Sequence, residues 1–404
     1  MPAADMSAAT TIENARAQFP ALRDTTFLDA ACVSIAPQCA IDAVREFFEF
    51  ALRHPSRSAT DQHICMDGAR AAARPEVARL LNAGEDEIAL AESTTHALNI
   101  AAHAIPLESG DRVLVCDLEF MQVAIPWLQL PGIAVDSVPH RRGAIALEDI
   151  AARIAPRTRV LAISSVQWSS GYCVDLAALG ALCRERNVWL VVDAIQQLGA
   201  VPIDVRATPI DFLACGGHKW LNAPFGCGFL YVRRNVLPRL RPPIAGYLSL
   251  ATPEGGWGHY FQTPSITPVR DYKFVAEARR YEIGGTANYP GAIALAASLQ
   301  LISSVGQPRI AEHIHSLTDR LIAGLRALNL ETVTDFNREN RAGIVTFSAG
   351  SPQQNLALME LLLERRILVS VRYTSGVGGI RVSCHFFNSL GDIDRLLSAL
   401  ASLR

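Results

Sequence analysis

Short apolar runs alternate with segments of helical period from about residue 85 onward. Strands are predicted at 88–91, 112–116, 133–138, 160–166, 188–192, 212–214 and 228–232, each closed by polar or glycine-rich text. A helix opens at STTHALNIAAHAI. Another spans 175–186, acidic at its start and basic at its end, as the helix macrodipole favours. Apolar strands separated by helices imply an α/β fold whose mostly parallel sheet is covered on both faces. Ligands of such sheets gather at the carboxyl ends of the strands. Between 239 and 281 the pattern lapses into Pro-, Gly- and aromatic-rich text. A stretch this long reads as pocket lining, with Tyr247, Trp257, His259 and Tyr260 as candidates beside His54, Arg57 and His63. A helix then begins near Pro290, followed by an α+β region: helix 308–328, strand 343–348, helix 354–365, strands 367–372 and 378–383, and a last helix at 390–402.

Composition narrows the function classes. Of 404 residues half are apolar and 19% charged, which suits a large buried core and not disorder. A formal net charge of -2, with no run of Lys or Arg, supplies no field for nucleic acid or an anionic membrane. No window approaches the roughly 18 uninterrupted apolar residues of a spanning helix. The first twenty residues lack a basic start followed by an apolar stretch, so a soluble, cytoplasmic protein is expected. Nine cysteines without a C-x-x-C pair read as reduced thiols, and neither a disulfide framework nor a metal site is expected.

Candidate chemistry sits just after the strands. Asp193 ends VWLVVD, where an unpaired buried carboxylate costs several kcal/mol and calls for a cationic partner or a helix to cap. Lys219, in ACGGHKWLNAP, follows the next strand and precedes a bulky aromatic, a poor position for solvation. An amine and an acid on adjacent strand ends suit pyridoxal 5′-phosphate (PLP). The amine forms an imine, and the acid keeps the pyridine nitrogen protonated. Ser93, Thr94 and Thr95 open a helix, a ready anion site as well as an ordinary cap. His218 is a further donor. No G-x-x-x-x-G-K-[ST] occurs, and no G-x-G-x-x-G follows the first strand, so ATP and NAD are weak alternatives.

With these residues in place the chain resembles the class V aminotransferase family of PLP enzymes, which includes cysteine desulfurases, kynureninases and isopenicillin N epimerase. The most specific stretch is VVDAIQQLGAVPIDV…DFLACGGHKWLNAPFGCGFLYV. The resemblance implies PLP fold type I, a large domain (27–289) with a mostly parallel seven-stranded sheet. It adds a linker helix and small α+β domain (290–404), on which an N-terminal segment (1–26) packs. By position, Lys219 would be the Schiff-base lysine and the proton carrier at Cα. Asp193 would pair with the pyridine nitrogen and Gln196 would reach the ring hydroxyl. Thr94, Thr95 and His218 would hold the phosphate. Thr286, in EIGGTANYPG, would reach the cofactor of the other subunit of a homodimer. Arg381, in GIRVSCHFFNS, would clamp the substrate α-carboxylate, a task that suits a bidentate guanidinium.

Departures from the family bear on the reaction. Desulfurases carry a nucleophilic cysteine on a mobile loop before this arginine, but VSVRYTSGVGGIR has none, so a persulfide-forming desulfurase is not expected. Phe120 or Met121 stands where many desulfurases stack a histidine on the ring, and Phe120 is favoured. Gly216 replaces a phosphate-binding serine. Gln167 and Trp168 occupy the place of an asparagine near the ring oxygen, with Trp168 narrowing the substrate pocket. The expected activity is PLP chemistry on a small α-amino acid, by transamination or by C–S lyase-like Cβ elimination. Epimerisation and kynureninase-like hydrolysis are alternatives. A non-catalytic PLP-binding regulatory module is a rival of another class, opposed by the joint retention of Lys219, Asp193 and Arg381.

Overall fold

A computed structural model describes residues 10–403. The chain enters through a short strand, β1 (Thr26–Phe27), and then builds a seven-stranded sheet. Its strands are β2 (Ile88–Ala91), β3 (Arg112–Cys116), β4 (Ala134–Val138), β5 (Thr158–Ser164), β6 (Trp189–Asp193), β7 (Phe212–Gly216) and β8 (Gly228–Val232). Their order is β2-β8-β7-β6-β5-β3-β4, and every ladder is parallel except the two that β8 makes with β2 and β7. Strands β6, β7 and β8 are buried almost throughout because helices cover both faces of the sheet, which is why they read as continuous apolar runs.

A second sheet follows: β9 (Glu331–Thr332), β10 (Ile344–Ser348), β12 (Ser370–Thr374) and β13 (Val377–Ser383), in the order β12-β13-β10-β9. Between them β11 (Ile367–Leu368) pairs in parallel with β1. The N-terminal stretch packs beside this ladder: Arg16 meets Asp392 at 2.8 Å, and the Phe19 ring lies against Phe386 and Phe387.

Element bounds fall within a few residues of the periodicity, with one informative exception. The apolar text at 367–372 breaks at Val369 into two strands that serve different sheets. Strands β12 and β13 join through a two-residue turn, Ser375–Gly376, both at positive φ (49° and 79°), the geometry that matches strand twist in a tight hairpin. Ser375 Oγ donates to Asp117 O at 2.7 Å, which fastens the hairpin tip beyond the end of β3.

The connection 239–281 does not line the central cavity. Its Tyr247, Trp257, Tyr260 and Phe261 pack on one another instead, mostly edge-to-face. His63 bonds Tyr289 at 3.2 Å, and neither it nor His54 or Arg57 lines that cavity. The segment after the connection is anchored by Glu282. Its carboxylate accepts from Arg70 at 2.6 Å, Arg74 at 2.7 Å and the Leu90 amide at 3.0 Å. Burial pushes its pKa up, but Arg74 and Arg70 outweigh burial and hold it below the usual 4.5. Glu282→Ala strands one buried guanidinium, Arg70, and one part-buried, Arg74, and is expected to cost about 3 kcal/mol in urea unfolding at neutral pH. Because the folded pKa lies below the unfolded one, this stabilisation is present above about pH 4.5. It is lost as pH falls through the folded value, so wild type and variant should converge in acid.

Candidate active site

A cavity of about 310 Å³ opens where the carboxyl ends of the parallel strands meet the second sheet. Ser93, Thr94 and Thr95 enter it after β2, Phe120 and Gln122 after β3, and Trp168 after β5. Asp193 and Ile195 come from β6, His218 and Lys219 follow β7, Ala31 and Cys32 follow β1, and Arg372 and Arg381 come from β12 and β13. Strand ends of the seven-stranded sheet thus supply five of the eight chain segments around this space, and β1, β12 and β13 bring the other three.

Lys219 is held by the turn around it. Gly217 N donates to Cys227 O at 2.9 Å, and Asn222 N donates back to Lys219 O at 3.0 Å. The next residue, Trp220, is fully buried. Its indole N–H donates to Gln196 Oε1 at 2.9 Å, and its ring stacks on His385 at 5.3 Å. Desolvation lowers the Lys219 pKa to about 8, with Asp193 pulling the other way and Arg381 adding to the depression. Asp193 is the mirror case. Burial lifts its pKa to about 6, while the Ile195 amide, bonded to Oδ1 at 3.0 Å, and Lys219 restrain the rise.

At the other end Thr94 is 6% exposed, and its Oγ1 has no partner among the described residues. A Cβ at Gly216 would come within 2.9 Å of that Oγ1 and 3.2 Å of His218 Nδ1, so glycine there leaves the hydroxyl and the imidazole their space. Desolvation, reinforced by Lys219, lowers the His218 pKa to about 4, leaving a neutral ring stacked on Phe225. With the amides at the start of helix Thr94–Ala104, these groups fit a phosphate. A buried amine, a buried acid and an anion cradle in one cavity are the donor set PLP requires.

The ring and substrate walls are partly as expected. Phe120 lies edge-to-face on Trp168 at 5.4 Å, with Lys219 Nζ 6.0 Å from the Phe120 centroid. Met121 starts the next helix and stays outside the cavity. Arg381 is 1% exposed. It donates to Trp168 O at 3.0 Å and to Asp29 Oδ1 at 3.2 Å, and its Nε has no partner among the described residues.

Two expected contacts are not made. Gln167 turns away from the cavity and donates to Glu119 Oε1 at 3.1 Å. That carboxylate is fully buried, lifted to about 7 by desolvation, and also bound by the Ser164 amide and hydroxyl. Gln196 spends its amide on Ala31 O at 3.1 Å and on Trp220, and does not line the cavity. Thr286, expected to serve the cofactor of a second subunit, is exposed and lies outside this chain's own cavity lining. Conversely, Cys32 and Arg372 line the cavity although sequence reasoning passed over them. Strand parity could have found Arg372: Ser370 pairs with Arg381 across the ladder, and two residues on the side chain returns to the same face.

Comparison with known proteins agrees with this geometry. A probable cysteine desulfurase of Pyrococcus abyssi is 27% identical over 97% of both chains. The apo structure of the cysteine desulfurase of Thermococcus onnurineus NA1 superposes with a TM-score of 0.84 at 25% identity, covering 98% of this chain and 99% of that one. The cystine C–S lyase C-DES, solved in complex with its reaction product cysteine persulfide, gives 0.82 at 25% identity, covering 95% and 99%. The family model for aminotransferase class-V matches residues 26–396, and the chain accordingly belongs to the class V aminotransferase family of PLP-dependent enzymes.

Proposed function

We propose that this enzyme cleaves the Cβ–sulfur bond of a small α-amino acid of the cysteine or cystine type, working as a homodimer. The observation that carries the reading is the cavity itself. Lys219, Asp193 and Arg381 share about 310 Å³ with the edge-to-face pair Phe120–Trp168. A cofactor and a short side chain fill such a volume, and aromatic edges favour a polarisable sulfur beside them. The relatives named as cysteine desulfurases and as a cystine C–S lyase support the same bond.

When bound, PLP supplies an electron sink conjugated to the substrate Cα. The chain's own residues do the rest. Thr94, Thr95 and His218 anchor the phosphate, and Asp193 holds a proton at the pyridine nitrogen. Arg381 would take the α-carboxylate and so orient the substrate Cα toward Lys219. Lys219 moves the proton at Cα, and its lowered pKa leaves much of the amine neutral near pH 8. Phe120 and Trp168 exclude water from the reacting carbon. Thr286 is exposed on the single chain, which leaves it accessible to a partner subunit in the homodimer of this reading.

Two measurements test the reading. Incubation of holoenzyme with L-cysteine or L-cystine is expected to give sulfur release and a three-carbon product, alanine or pyruvate. Transamination would keep the sulfur in the keto acid and would overturn the proposal. Lys219→Ala should lower turnover by about 10²–10⁴-fold or more, and borohydride reduction should leave a pyridoxyl adduct on Lys219 in the wild type alone. Second, uptake of PLP by cofactor-free protein should accelerate about tenfold per pH unit up to about pH 8 and then level, following the neutral amine. Asp193→Asn removes the charge that raises the Lys219 pKa, so its midpoint should move lower. An unchanged midpoint near that of free lysine would refute the burial argument.

A further inference from the structure

We propose that Cys32, paired with Arg372, is the residue that accepts sulfur in this active site, a role that deepens the C–S cleavage reading and rests on it. Cys32 lies on the turn after β1, where its amide donates to Asp29 O at 3.0 Å. Its side chain lines the same cavity as Lys219, Trp168 and Arg381. Arg372 Nη2 points at the sulfur from 3.5 Å. This arginine has no carboxylate partner among the described residues, so a cation stands beside the thiol with no anion assigned to it. A second, independent feature points into the same space. Arg381, which lines the cavity, is 1% exposed, yet its Nε is without a partner among the described residues, a buried donor that an anionic ligand would satisfy.

The other thiols are poor rivals. Cys116, Cys173, Cys183, Cys215, Cys227 and Cys384 are buried, and burial drives their pKa values up, to about 12 for Cys173, Cys183, Cys227 and Cys384. Cys39 is raised in the same way and Cys65 is exposed; neither lines the cavity. The hairpin offers no thiol either, since its tip is the two-residue turn Ser375–Gly376, pinned to Asp117. The sequence expectation against a persulfide rested on that hairpin alone. A thiol arriving from the N-terminal side of the cavity reopens the chemistry from another direction.

The step balances without an added oxidant. Cys32 Sγ bonds to the sulfur of a substrate cysteine, the Cβ–S bond breaks, and its electron pair stays with Cβ, where a proton replaces the sulfur. One thiol and one cysteine become one persulfide and one alanine. Arg372 sits where it can pair with the anionic sulfur before and after transfer. A second thiol then attacks the outer sulfur, carries it away as its own persulfide and returns Cys32. Where no thiol intercepts the sulfur, it leaves Cβ as hydrogen sulfide, and water converts the remaining three-carbon unit to pyruvate and ammonia.

The test uses holoenzyme and L-cysteine, with rapid alkylation and peptide mass spectrometry. The expected result is one extra sulfur atom on the Cys32 peptide, none on those of Cys65 or Cys384, and alanine as the carbon product. Cys32→Ser should abolish the label and shift the product from alanine to pyruvate while the bound-cofactor absorbance persists. Arg372→Gln should slow labelling of Cys32 by about tenfold or more, as loss of the guanidinium contact to a part-buried sulfur would. Substrate desulfuration with Cys32 unlabelled, or an unchanged alanine-to-pyruvate ratio in Cys32→Ser, overturns the role of Cys32 and leaves C–S cleavage standing. Absence of any desulfuration by the wild type overturns both.

Discussion

The structure depends on keeping one primary amine out of water. Lys219 follows a buried strand, and its pKa falls to about 8 because desolvation outweighs the attraction of Asp193 on the adjacent strand end. That arrangement needs a rigid frame, since a free lysine stem would carry its charge to solvent. Trp220 supplies the frame. Its indole bonds Gln196, its carbonyl accepts from His385, and its ring packs so closely on Gly343 that a Cβ there would lie 2.3 Å from the indole edge. His385 follows β13 and Gly343 precedes β10, so the loop that positions the amine is clamped between the two sheets. Packing and electrostatics at this point are one problem.

The same clamp explains which parts of the site were legible in the sequence. Lys219, Asp193, Thr94 and His218 sit at or just beyond strand ends, and their surroundings follow from strand order alone. Strand limits were legible for the same reason, because parallel strands buried on both faces leave continuous apolar text. Residues whose roles depend on a partner far along the chain were not. Gln196 was expected at the cofactor ring, yet a buried Trp220 indole needs an acceptor and claims it. Gln167 was expected there too, but Glu119, an uncompensated carboxylate beneath the sheet end, requires donors and takes its amide. In both cases a buried polar group elsewhere set the rotamer. Local pattern carries no information about that demand.

The aromatic text at 239–281 failed for a different reason. Composition suggested pocket lining, and its aromatic residues do gather, but they gather with one another at the surface. Arg372 and Cys32 were passed over because each looks ordinary in its own segment. Their meaning appears only when β12 and the turn after β1 are brought to one cavity.

Charge around the cavity follows a consistent logic. Three cationic side chains, Lys219, Arg372 and Arg381, face two nearby carboxylates, Asp193 and Asp29, while Glu119 is lifted to about 7 by burial and by Asp193. Asp29 is already shared between Arg381 and Ser370 Oγ. Lys219 and Arg381 each have a nearby carboxylate while Arg372 has none among the described residues, so the walls carry an excess of positive charge there, a costly state for an isolated chain. An anionic phosphate, an α-carboxylate and a departing sulfur each relieve part of that excess, at three separate places. Since Asp193 is committed to the ring end and Asp29 to Arg381, the cation left without an anion is Arg372. The thiol it touches belongs to the cavity's electrostatics as much as to its wall.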